Sequence, residues 1–132
     1  MEIKSNESTI NRPKGERLID APFVTTNLAS VIDQLKEEEA WSKNSRNAIT
    51  VFKSEGFSMV LIGLHKDAVL TDNEATEVVC LQVLKGSVQL AMGEEPVLTT
   101  VEAGNIISIH RLLSHPVTAL EDSFLLMTMT GE

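Results

Sequence analysis

Apolar positions follow two different periods along this chain. Leu28, Val31, Ile32 and Leu35 recur at i, i+3, i+4 and i+7, which predicts one helix over roughly residues 28–41, closed by Trp41. Thr26 or Asn27 can cap its start, and Lys36 to Glu39 reads as a solvated charge run. From Ala48 onward the chain changes to short apolar runs divided by turns. Ala48–Lys53, Ser58–His65, Val78–Leu84, Ser87–Met92, Val97–Val101, Asn105–His110, His115–Leu120 and Ser123–Thr130 are eight strand candidates. Glu55-Gly56, the long 66–77 connection, Lys85-Gly86, Gly93 to Pro96, Ala103-Gly104 and Glu121-Asp122 punctuate them.

Strands at this spacing with no helices between them predict an all-β antiparallel sandwich or barrel. Val60-Leu61-Ile62 and Phe124 to Met127 are apolar at both parities, so both faces of those strands need cover. A helix, a second sheet or a partner subunit can supply it. A homodimer is expected on this ground, since one self-complementary patch then buries itself. Residues 1–20 read as a flexible tail, part of which can lie on the body as an added strand. Residues 21–132 read as one barrel domain that includes the helix.

Composition narrows the partners. The 132 residues suit one domain, and 42% hydrophobic content allows a real core. Only 4% are aromatic, so that core is built of Val, Ile, Leu and Met, and a sugar-stacking site is disfavoured. The net charge of −8 repels phosphate backbones and anionic bilayers, so neither nucleic acid nor membrane is expected as a partner. No stretch approaches the roughly 20 apolar residues of a membrane span, and the first residues lack the apolar run of a signal peptide. The single cysteine, Cys80, excludes an intrachain disulfide and is expected as a buried, inert thiol. A cytoplasmic location is expected.

The stretch from Asp67 to Ala119 resembles the two-part signature of the cupin superfamily. Gly86, in Leu84-Lys85-Gly86-Ser87-Val88, matches the glycine that closes the first part. Counting back, the family's Glu position is Val79, its His-x-His positions are Asn73 and Ala75, and its opening Gly is Asp67. Gly104 opens the second part, His115 falls on its histidine, and His110, Leu112 and Ala119 stand at its Pro, Gly and Asn positions. The resemblance implies a cupin-type jelly-roll barrel with a short N-terminal helix. It also implies a pairing of barrels into homodimers.

Cupins that hold a metal do so with two His and a Glu from the first part and one His from the second. This chain keeps only His115, while Asn73, Ala75 and Val79 replace the rest. No bound metal and no cofactor are therefore expected. The expected ligand pocket is the barrel mouth, lined by His115, Asn73, Glu77 and Met127. Glu77 shares the parity of Val79, and Met127 and Met129 share that of Leu125. His110 is placed where it can approach from the rim, and His65 at a strand end. The function read from this is small-molecule binding without a complete metal site. The alternatives are a metal-independent isomerase or epimerase, or a diverged metal-dependent dioxygenase, working through His115.

Overall fold

Among the described residues, two helices lead into two packed antiparallel sheets of five and four strands. The computed structural model describes residues 2–7, 17–71, 76–92, 97–110 and 116–131. In chain order the elements are β1 (Lys4–Asn6), β2 (Arg17–Asp20), α1 (Leu28–Glu37), α2 (Glu39–Lys43), β3 (Arg46–Ser54) and β4 (Phe57–Leu64). There follow β5 (Val69–Leu70), β6 (Thr76–Lys85), β7 (Ser87–Met92), β8 (Val97–Glu102), β9 (Ile106–His110), β10 (Val117–Ala119) and β11 (Ser123–Gly131). One sheet runs β3-β4-β11-β6-β9 and the other β5-β10-β7-β8, while β1 and β2 pair with each other. Arg17 Nε donates to Thr50 O at 2.7 Å and ties that small hairpin to β3. No helix among the described residues is long and apolar enough to cross a membrane.

Side chains alternate along each strand, and the two parities go to two cores. Ile62, Leu64, Val79, Leu81, Val83 and Leu125 of the five-stranded sheet face Val88, Leu90, Val101, Val117 and Ala119 of the other. Met127, Met129, Val60 and Ile107 pack against this barrel core. The opposite parity of the large sheet, Ile49, Leu61, Phe124 and Leu126, meets Ile32 and Leu35 of α1 in a second core. Leu61 is fully buried and Leu126 is 8% exposed, so the both-face apolarity of β4 and β11 is answered by the chain's own helix. α1 and Trp41 thus cover Leu61, Phe124 and Leu126, one part of the apolar face for which a partner subunit was expected.

The helical stripe is as expected, with Asn27 Oδ1 capping Ser30 N at 3.0 Å. The expected single helix over 28–41 is instead two, broken at Glu38, which takes an extended conformation (φ −74°, ψ 144°). Buried Asn47 explains the break. Its Nδ2 donates to Leu35 O at 3.1 Å and to Glu38 Oε1 at 2.9 Å, and its Oδ1 accepts from Ala48 N at 3.0 Å. The helix-end carbonyl is satisfied by β3 rather than by another turn of helix.

Cys80 corrects another expectation. Positions 79, 81 and 83 point into the barrel, so Cys80 takes the outer face of β6, away from the stretch the helices cover. It is half-buried rather than buried, with Sγ 3.3 Å from Ser108 Oγ on β9.

Candidate functional site

The barrel has one end closed by Gly86, Asp122 and Ser123 and an opposite end that we call the mouth. Strand pairing fixes what lies there. Phe57 and Ser58 of β4 pair with Thr130 and Met129 of β11, and Val79 and Val78 of β6 pair with Met129 and Thr130. Val78 also pairs with His110 of β9. Asn73 and His115, two of the four expected pocket residues, lie outside the described residues.

Of the other two, Met127 is half-buried against the barrel core opposite Leu81. Glu77 is exposed at the rim, four residues along β6 toward the mouth, about 13 Å at 3.3 Å per residue. The two share the inner parity but do not meet. His110 does not serve the rim as expected. Ile107 and Ile109 point into the barrel, which sends His110 to the outer face, where it is exposed. His65 is at the far, closed end, with Nε2 2.7 Å from Trp41 O and Nδ1 3.4 Å from Asp122 Oδ1. Among the described residues no three His, Cys, Asp or Glu side chains come close enough to hold a metal ion.

A cleft of about 590 Å³ opens at the mouth on the side of β3, β4 and β11. That lies within the usual range of small-molecule sites. Val60 and Met129 form its apolar floor, Thr50 and Ser58 add hydroxyls, and Lys4, Lys53 and Glu55 stand around it. Each part has a local cause. Glu55-Gly56 makes the tight β3–β4 turn, with Gly56 at φ +69°, a conformation cheap only for glycine. Gly131 N donates to Gly56 O at 3.1 Å and holds the end of β11 against that turn. Phe52 and Phe57 meet edge to face at 5.9 Å and brace the hairpin on its other side.

Lys53 reaches the cleft through a β-bulge. Thr50 pairs with Val60 and Phe52 with Met59, so Val51 is an extra residue in β3. Strict alternation from Ile49 and Val51 would put Lys53 on the helix-covered face. The bulge shifts the parity, and Lys53 then stands opposite Ser58 on the inner face. Lys4 of β1 also lines the cleft, beside a slip in the β1–β2 register between Lys4 and Ser5. Sequence reasoning missed both lysines. The parity shared by Met129 and Leu125 was the one visible pointer to the floor of the cleft.

No protein-family model matches the chain. No curated protein matches it either. Solved structures do. A cupin-2 domain-containing protein from Shewanella frigidimarina superposes with a TM-score of 0.62 at 13% identity, over 80% of this chain and 93% of its own. A cupin superfamily protein from Desulfitobacterium hafniense gives 0.60 at 9% identity, over 67% of this chain and 80% of its own. KdgF from a Halomonas species gives 0.59 at 15% identity, over 68% and 83%. The chain is a small protein of cupin fold, an antiparallel β-barrel of the jelly-roll type with an N-terminal helical cover. Likeness at these identities speaks for the fold and leaves activity open.

Proposed function

We propose that this chain binds a small molecule at the barrel mouth, in the cleft floored by Val60 and Met129, without a complete cupin metal site. The observation that carries this reading is the cleft itself. A concave space of about 590 Å³ joins an apolar floor to a few polar groups at one end of the five-stranded sheet. The ligand set of metal-holding cupins is replaced at Asn73, Ala75 and Val79, and Val79 is buried in the core with no donor to offer.

The neutral fluorophore N-phenyl-1-naphthylamine tests the reading. It should bind the intact chain saturably at about one equivalent. Ser58→Trp, at a half-buried position on the inner face of β4, should fill the cleft and abolish that binding while thermal unfolding confirms the fold. Absence of saturable binding, or binding undiminished in Ser58→Trp, overturns the proposal.

A further inference from the structure

We infer that the ligand of this cleft is a small amphipathic anion, its apolar body on Val60 and Met129 and its acidic group between Lys4 and Lys53. The inference rests on the mouth-binding reading and adds the charge of the ligand. Among the described residues that line the cleft, two lysines and one glutamate are the titratable side chains, so that lining is net positive in a chain of net charge −8. Across most of this surface the acidic excess repels an anion. At this cleft the balance is reversed beside an apolar floor.

The placement is built rather than incidental to an exposed strand. The β3 bulge puts Lys53 across from Ser58, on the same face as Val60 and Met129. The Arg17 Nε to Thr50 O bond holds the β1–β2 pair against β3, and Lys4 of that pair lines the same cleft. A lysine stem lies along apolar surface while its ammonium stays wet, so both heads can meet an acidic group at the rim without desolvating. Glu55 disfavours a second negative charge, and Thr50 and Ser58 offer hydroxyl donors below the rim. The chemistry fits a monoanion, such as a carboxylate or sulfonate carried on a hydrocarbon body.

The test compares two fluorophores that differ in one group, on the full chain at low salt. 1-Anilinonaphthalene-8-sulfonate is the sulfonated counterpart of the neutral N-phenyl-1-naphthylamine. The readout is the ratio of their affinities. Exposed lysine–anion pairs are weak, so each lysine should contribute roughly two- to five-fold and the pair about ten-fold in favour of the sulfonate. The ratio should fall toward one in Lys4→Gln/Lys53→Gln. It should fall likewise for the unmodified chain as salt is raised, a measurement that needs no variant. A ratio near one at low salt, or a high ratio that survives the double substitution, overturns the inference and leaves the mouth-binding reading standing. If neither dye binds saturably, both fail.

Discussion

The imidazole of His65 lies on the indole of Trp41, ring centroids 3.6 Å apart and planes 23° apart, while its Nε2 reaches Trp41's own carbonyl oxygen at 2.7 Å. Trp41 is thus held by face and by backbone. The carbonyl only accepts, so Nε2 carries the proton in this contact. On the other side of the ring, Asp122 Oδ1 lies 3.4 Å from Nδ1 and accepts from Lys66 N at 2.8 Å. The histidine joins α2, the end of β4 and the turn before β11 at the closed end. His65→Ala should cost about 2 kcal/mol, the sum of a stacked pair and a hydrogen bond. Urea unfolding measures it, and dye binding at the mouth should be unaffected. A cost below about 0.5 kcal/mol would contradict this role.

Gly63 marks how closely the helices press on the sheet. A Cβ there would sit 2.8 Å from Leu35 Cδ2, 2.9 Å from Trp41 Cζ3 and 3.0 Å from Phe124 Cε1. Three core side chains from α1, α2 and β11 would have to give way together. Gly63→Ala should destabilise by about 1–3 kcal/mol, although alanine is the better residue elsewhere in a strand. A thermal melt of the single variant decides it, and an unchanged or raised Tm would show that the helical cover is looser than described.

Ser123 is fully buried at the closed end, and its hydroxyl is used fully. Oγ accepts from Ser87 N at 3.1 Å and has carbonyl acceptors in Glu121 at 2.8 Å and Ser87 at 3.1 Å. Ser123→Ala strands the Ser87 N–H beside the β6–β7 turn and should cost about 1–3 kcal/mol. Ser123→Thr keeps the hydroxyl but adds a methyl where Gly86 already leaves no room, so it should not rescue. Full stability in Ser123→Thr would refute the packing described around Gly86.

The sequence disclosed what depends on local period and concealed what depends on distant partners. The stripe Leu28, Val31, Ile32 and Leu35 announced α1, and the shared parity of Leu125, Met127 and Met129 announced one wall of the barrel. The break at Glu38 did not show, because Asn47, twelve residues after Leu35, supplies the bond to the Leu35 carbonyl that ends the helix. Lys53 did not show either: its face depends on one inserted residue in β3, and alternation counted from Ile49 points it the wrong way. The both-face apolarity of β4 and β11 was legible as a need for cover. Whether helix or partner met that need was a question of tertiary packing.

Cys80 gives a test of the outer face of β6 and β9. Val78 and Cys80 there are half-buried, and Ile106, on the edge strand, is 60% exposed. Ser108 lies directly across from Cys80, so a reagent approaching from solvent meets a hydroxyl and a thiol rather than packed hydrocarbon. Thiolate reactivity follows access as well as ionisation. In dilute folded protein a maleimide should therefore label Cys80 to one equivalent without denaturant, and far-UV circular dichroism should be unchanged by the labelling. The same reaction reads out a second copy of the chain. A partner seated on β6 and β9 would protect the thiol increasingly as protein concentration rises, and Ile106→Glu would restore its reactivity. A thiol silent at every concentration until the chain is unfolded would mean that the face is covered from within, and would overturn the half-exposed placement of Cys80.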